Sequence, residues 1–233
     1  MTNSEKFLDL YNKIDAFLKK ETEYDVYVTF SQKIKTSTNK VVKIYSDELI
    51  SLGELRNAIV HNPKIGNKAI AEPHDSTVER IEELFNMVSD PKKVIPEFQF
   101  EVLGANEDDF INGILIEMKK KSFSQFPVFN EDGLVKELIS TNTISRWLSS
   151  KMEERGTIII DNVVVSDFLA EIEFKKNYKF ISRATSIYEA YDLFLNQVNL
   201  NKRNLDVLFI THSGKINERL LGLITIEDIA SLV

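Results

Sequence analysis

The feature that most constrains this chain is a repeat within its C-terminal half. Phe126-Pro127-Val128-Phe129, Gly133, Leu138-Ile139-Ser140 and Ile144 return as Asp206-Val207-Leu208-Phe209, Gly214, Leu223-Ile224-Thr225 and Ile229. Self-similarity at a fixed period means that one supersecondary unit is built twice. The spacing from Gly133 to Gly214 is 81 residues and that from Ser140 to Thr225 is 85, so an insertion falls near Lys215 to Arg219, inside the second hairpin. Upstream, the apolar stretch Phe110 to Met118 matches Ile187 to Leu195. Two copies of helix, strand, turn, strand and helix predict a pseudo-symmetric pair with a cleft where the copies face one another.

The elements follow from the residue pattern. Short β-branched runs bounded by turn residues predict strands at Phe98 to Leu103, Phe126 to Phe129, Val135 to Ile139, Thr157 to Ile160, Lys179 to Ile181, Val207 to Thr211 and Leu220 to Thr225. Asn130-Glu131-Asp132-Gly133 and His212-Ser213-Gly214 are the turns of two hairpins. Before residue 90 the texture is different: apolar residues recur every three or four positions, which predicts four amphipathic helices. Ser4 is the expected N-cap of Phe7, Tyr11, Ile14 and Leu18, and a weaker stripe passes through Tyr27, Phe30 and Ile34. A third helix runs from Val41, with Gly53 as a candidate bend, and stops at Asn62-Pro63. Ser76 and Glu79 read as a capping box opening the fourth, which ends at Asp90-Pro91. The expected fold class is therefore α+β, with a helical domain over residues 1–91 and the repeat over 92–233. Its copies span about 97–150 and 178–233, with a connecting segment at about 151–177.

Composition excludes several functions. Across 233 residues, 29 Lys and Arg face 36 Asp and Glu, a net charge of −7, and both halves are acidic. Nucleic-acid binding rests on phosphate neutralisation, so no DNA-binding face is expected. There is no cysteine and there are three histidines, so disulfides, thiolate chemistry and metal sites are not expected. No uncharged apolar run approaches the ~18 residues of a spanning helix, and no signal peptide is read at the N-terminus; no membrane association and a cytoplasmic location are expected. Thr211-His212-Ser213-Gly214 looks like part of a hydrolase dyad but falls in a hairpin turn. Asp108-Asp109 suits a helix start, and Lys119-Lys120-Lys121 a solvated helix end. There is no phosphate-binding loop of the Gly-x4-Gly-Lys type.

The chemistry of the repeat concentrates at Gly222-Leu223-Ile224-Thr225-Ile226-Glu227-Asp228-Ile229, where a strand runs straight into a helix. Asp228 has two acceptor oxygens that suit the two hydroxyls of a ribose, Thr225 a hydroxyl for phosphate, and the helix start exposed amides for an anion. Thr225-x-x-Asp228 is equally a capping box, which requires no ligand. The segment resembles the nucleotide-binding motif of cystathionine-β-synthase (CBS) domains, which occur as tandem pairs. That resemblance covers residues 97–233 and implies an adenine nucleotide (AMP, ADP, ATP or cyclic di-AMP) bound in the cleft, with no cofactor required. The first copy departs from the motif: Ser140 stands for Thr225, but Thr143 replaces the Asp and Glu137 the Gly, so one good site is expected rather than two. Arg183, in Ile181-Ser182-Arg183-Ala184-Thr185, is the first choice for phosphate compensation, ahead of Lys179, Lys215 and Arg219, and Thr185 joins it as a ligand-binding candidate. Arg183 is equally read as a solvated surface residue. Phe180 and Phe209 could pack on a base, but strand aromatics are more often core.

The helical half contains Leu55-Arg56-Asn57-Ala58-Ile59-Val60-His61-Asn62-Pro63. Arg, four residues and His at the end of a helix resemble HEPN domains over residues 4–90, so the helical part reads as a HEPN-like four-helix bundle. In its ribonuclease members the His assists proton transfer at a ribose 2′-hydroxyl and the Arg stabilises a charged phosphorane, without metal. The resemblance thus implies Arg56, Asn57 and His61 as catalytic candidates and RNA as a partner, with a homodimer completing a composite site. On an ideal helix Arg56 and His61 stand about 140° apart, whereas Asn57 and His61 share a face. The alternative pairs Arg56 with a helix-surface carboxylate such as Asp47 and lets His61 cap the helix C-terminus. The leading reading is a regulatory protein in which nucleotide binding to the CBS pair is coupled to the helical domain. The alternatives are a metal-independent ribonuclease under nucleotide control and a non-catalytic oligomerisation module.

Overall fold

A computed structural model of the chain describes residues 1–22, 27–61, 71–156, 161–199 and 205–233. It divides into two compact units, Met1–Lys92 and Lys93–Val233. Among the described residues no helix is long and apolar enough to cross a membrane.

The first unit is helical: α1 (Asn3–Thr22), α2 (Phe30–Thr36), α3 (Lys40–Ile44), α4 (Ser46–His61) and α5 (Asp75–Ser89). Phe7, Ile14 and Leu18 of α1, Leu49 and Ile59 of α4, and Ile81, Leu84 and Val88 of α5 are buried, as their spacing requires. Five helical segments stand where four were expected. The break falls at Tyr45 (φ −101°, ψ 22°), which divides the expected third helix into α3, capped by Asn39 accepting from the amides of Val41 and Val42, and α4. Gly53 does not bend α4; it lets the Phe30 ring approach, and a Cβ there would lie 3.2 Å from that ring. Ser4 is not the cap of α1. Thr2 fills that role through reciprocal bonds with Glu5, while Ser4 is buried and bonded to Glu72. Tyr27 is 90% exposed, outside the stripe assigned to it. α5 begins after His74, which makes no side-chain cap bond, so the expected Ser76–Glu79 box does not open it. Asn62-Pro63 lies outside the described residues.

The second unit opens with a short turn, α6 (Val94–Glu97), and then builds one motif twice. The first copy comprises β1 (Ala105–Asn106), α7 (Ile111–Lys121), β2 (Gln125–Phe129), β3 (Val135–Ser140) and α8 (Thr141–Arg155). After a 3₁₀ turn at Val165–Glu171, the second comprises β4 (Tyr178–Ser182), α9 (Ile187–Asn199), β5 (Val207–Thr211), β6 (Gly222–Ile224) and α10 (Ile226–Ala230). Each copy forms a three-stranded sheet in sequence order, its first pair parallel and its second antiparallel. The expected strand at Phe98–Leu103 does not form. That stretch is irregular and half-exposed, tied to the second sheet by the Phe100 amide donating to Leu221 (3.2 Å), and the first strand is Ala105–Asn106 instead. The expected strand at Thr157–Ile160 lies outside the described residues.

Both hairpins rest on local chemistry. The Asn130 side chain accepts from the amides of Asp132 and Leu134, with Gly133 at φ +74°, a left-handed conformation that glycine adopts at no steric cost. In the longer second hairpin Thr211 accepts from the amide of Gly214 and Glu218 from that of Ser213. The copies meet through a shared apolar cluster of Val135, Leu138, Tyr178, Val207 and Phe209. Polar bonds cross the same seam: Gln125 Nε2 to the Asp206 carbonyl (3.4 Å) and Tyr178 Oη to the Lys136 carbonyl (3.3 Å). Burial, with Glu137 nearby, pushes the Tyr178 phenol up to about 12.

Candidate functional site

Within the second unit a cavity of about 490 Å³ lies between the copies. One wall is the junction of β6 and α10, with Leu223, Thr225, Glu227 and Asp228. The first copy supplies the others: the strip Phe98 to Leu103 and the passage from the end of α7 into β2, Lys121 to Gln125. Thr225 and Asp228, singled out from the sequence, are thus part of its lining. Their local geometry is a capping box: Asp228 Oδ2 accepts from the Thr225 amide (2.8 Å) and the Thr225 hydroxyl (2.7 Å). The Thr225 donors expected to face a phosphate are therefore turned to Asp228, and Oδ1 is the oxygen left for a ligand.

Pseudo-symmetry places a counterpart at the β3–α8 junction, lined by Ser140, Asn142 and Thr143 from the first copy and by Ile172 to Phe174, Asn177 and Asp206 from the second. Its volume is only about 10 Å³. Ser140 caps Thr143 there, and the Asn142 amide donates to Glu173 (3.2 Å) across the two walls. Glu137 is buried, and its Oε1 accepts from the amide of Lys176 (3.1 Å), fixing the facing segment. Its place in the repeat is that of Gly222.

Arg183 and Thr185 do not line the Asp228 cavity. Ser182 is level with Thr211 at the end of β5, whereas the antiparallel β6 sets Ile224 level with Leu208 at its beginning. At about 3.3 Å per residue, Arg183 and Thr225 are separated by roughly 16 Å along the sheet. Arg183 is exposed, its amide donating to the Thr211 carbonyl, and the Thr185 carbonyl accepts from Val94. Among the described residues, the cation that borders the cavity is Lys121, 3.5 Å from Glu117. Residue patterning alone missed Glu101, Lys121, Ser122, Ser124 and Gln125; applying the pseudo-two-fold to the β–α junction would have indicated their segments.

In the first unit a second cavity, of about 310 Å³, is bordered by Tyr11, Phe30, Lys33, Arg56, Asn57 and His61. Arg56 Nη1 is 3.2 Å from Asn57 Oδ1 and 3.3 Å from His61 Nε2. The long guanidinium arm closes the angular separation that helix geometry alone implied. Arg56 lies over the Tyr11 ring (5.6 Å to the centroid) rather than on Asp47, and its Nε is buried without a partner. Burial, then the nearby Asp15, pushes the Tyr11 phenol up to about 12, against the opposing pull of Arg56. Among the described residues no cluster of His, Asp and Glu side chains is arranged to hold a metal.

No family model matches the sequence, and no curated protein matches it. Among solved structures, CBS-domain pairs are similar to it over about 60% of its length. CBSX2 of Arabidopsis thaliana in complex with AMP is 13% identical, covering 60% of this chain and 95% of that one with a TM-score of 0.42. A CBS-domain-containing protein from Kribbella flavida is 11% identical, covering 58% and 95% with a TM-score of 0.43. A CBS-domain pair in complex with 5′-methylthioadenosine and S-adenosyl-L-methionine is 13% identical, covering 61% and 95% with a TM-score of 0.39.

Proposed function

We propose that the second unit is a regulatory module that binds an adenosine compound in the cavity at Asp228. The observation that carries this reading is the position of Asp228 and Thr225 on a cavity of about 490 Å³ whose remaining walls come from the other copy. Volume and lining suit a nucleoside: Phe98, Phe100, Leu103 and Phe123 offer apolar faces for a base, and Asp228 Oδ1 an acceptor for ribose hydroxyls. A ligand touching both copies stabilises one arrangement of them, which is what a regulatory module requires. Two of the similar structures named above hold AMP, or S-adenosyl-L-methionine and 5′-methylthioadenosine; the proposal itself rests on the cavity.

The test is calorimetric titration of the full chain with adenosine, AMP, ATP, S-adenosylmethionine and cyclic di-AMP, repeated with Asp228→Asn. At least one compound should bind, and the substitution should weaken it by about tenfold or more, the loss expected for a hydrogen bond to a charged group. Unchanged affinity in Asp228→Asn, or no binding by any compound, would refute the reading.

A second reading applies to the first unit: metal-independent cleavage of RNA, with the Arg56 guanidinium positioned on phosphate and His61 moving the proton of a ribose hydroxyl. It is favoured by Arg56, whose Nη1 is 3.3 Å from His61 Nε2 and whose Nε is buried without a partner. Purified protein incubated with RNA and chelator should produce fragments, and His61→Ala should not; fragments from both would remove this reading.

A further inference from the structure

We infer that the Asp228 cavity selects an adenosine derivative whose 5′ substituent is neutral or positively charged, and discriminates against a polyphosphate. This deepens the preceding reading and rests on it. Among the described residues, three acidic side chains, Glu101, Glu227 and Asp228, border the cavity, against one cation, Lys121. That lysine is already 3.5 Å from the Glu117 carboxylate on its own helix. The cavity also receives the C-terminal end of α7: the helix finishes at Lys121, Ser122 turns left-handed at φ 57°, and both are lining residues. Carbonyls at a helix C-terminus carry partial negative charge, so this wall disfavours an anion.

The groups that would ordinarily hold phosphate are committed elsewhere. The amide and hydroxyl of Thr225 donate to Asp228 Oδ2, so the carboxylate of the chain itself takes the place of an external anion. Arg183 stands at the opposite end of the sheet. A triphosphate would bring several negative charges to a wall with no unpaired cation among its described residues. A sulfonium, an ammonium or an uncharged thioether would meet carboxylates or nothing opposed to it.

The experiment compares the Kd of adenosine, 5′-methylthioadenosine, S-adenosylmethionine and ATP for the full chain at low and high salt. ATP should bind at least about tenfold more weakly than S-adenosylmethionine, and the gap should narrow with salt as exposed charges are screened. Glu227→Lys and Glu101→Lys, both at exposed positions, should each raise ATP affinity relative to adenosine by about tenfold. ATP binding more tightly than adenosine would overturn the inference while leaving the adenosine reading intact. Binding of none of the four would overturn both.

Discussion

The cavity wall formed by Phe98 to Leu103 is held where it is by the absence of one side chain. At Gly222, an added Cβ would lie 1.8 Å from the Phe98 carbonyl oxygen and 3.1 Å from its carbon. Both partners are backbone, so no rotamer change relieves the overlap. Gly222 is registered with Ile210 in the β5–β6 ladder, and Phe98 is anchored by its amide donating to Val94 (2.8 Å). Gly222→Ala must therefore push the strip off β6 by more than an ångström, breaking the Phe100–Leu221 hydrogen bond. Overpacking costs about 1–3 kcal/mol and a lost hydrogen bond about 1 kcal/mol, so a destabilisation of roughly 2–4 kcal/mol is expected. Urea denaturation followed by fluorescence of Trp147, the one tryptophan of the chain, reports this unit from the core of its first copy. Gly133→Ala is the matched control: its left-handed φ of +74° costs an alanine about 1–2 kcal/mol, but the space around it is open. A Gly222→Ala loss no larger than that of Gly133→Ala would show that the strip does not rest on Gly222.

Gly113 has nothing within 4 Å of an added Cβ and lies inside α7, so Gly113→Ala should stabilise the second unit by about 0.5–1 kcal/mol; a lowered urea midpoint would contradict this. The Glu218 carboxyl is held down to about 2 by the hydroxyl and amide of Ser213 that donate to it. Because the folded value lies below the ordinary 4.5, the bonds holding this hairpin are complete above that pH and lost as pH falls toward 2; the Ser213 amide resonance should titrate near 2, and a midpoint near 4.5 would refute the arrangement. Arg80 grips Glu48 through Nε and Nη2 (2.8 and 2.9 Å), and hydrogen bonding from the guanidinium lowers the Glu48 carboxyl. Both side chains are about one-third exposed, so a double-mutant cycle with Glu48→Gln and Arg80→Gln should give a coupling of only about 1 kcal/mol at pH 7, shrinking as Glu48 protonates; zero coupling at pH 7 would make the pair incidental.

The parts of the fold readable from sequence are those whose signal is local. β2, β3, β5 and β6 are β-branched or aromatic runs closed by turns at Asn130–Gly133 and Thr211–Gly214, where side-chain acceptors and left-handed glycines act within a few residues. β1 has only Ala105 and Asn106, which become a strand by pairing with Val128 and Phe129; nothing in two residues announces that. Conversely, Phe98, Phe100 and Val102 alternate like a strand, yet Phe100, Glu101, Val102 and Leu103 all border the cavity, so the segment does not present the two faces of a strand. In the helical unit, the apolar stripe runs on from Val41 through Tyr45, and the stripe does not report the change of backbone angles at Tyr45 that divides it into two helices. The site divides the same way. Thr225 and Asp228 are legible because four consecutive residues of a helix start carry them, whereas Glu101 and Lys121 join them only through packing of one copy on the other. Arg183 was drawn to the site by its place before a helix, and strand direction sends it to the far edge.

The asymmetry between the two junctions follows from one repeat position. Both open a helix with the same device, Ser140 with Thr143 in one copy and Thr225 with Asp228 in the other. Both also face a segment entering the first strand of the opposite copy. In the first copy that segment is fixed by a side chain: the buried Glu137 carboxylate reaches the Lys176 amide, while Asn142 and Glu173 join the walls, and about 10 Å³ is left. In the second copy the segment is held by its main chain, since Gly222 lets the chain pass over it and Leu221 takes the Phe100 amide, and by Phe98 packed on the core of that copy; about 490 Å³ remains. At this repeat position the anchoring bond thus comes from a side chain at one junction and from the main chain beside it at the other. The filled junction has a structural role of its own, because the buried Glu137 carboxylate, whose Oε1 accepts from the amides of Leu138 and Lys176, ties the facing segment to β3. A duplicated scaffold can then keep one junction as a brace and leave a cavity at the other.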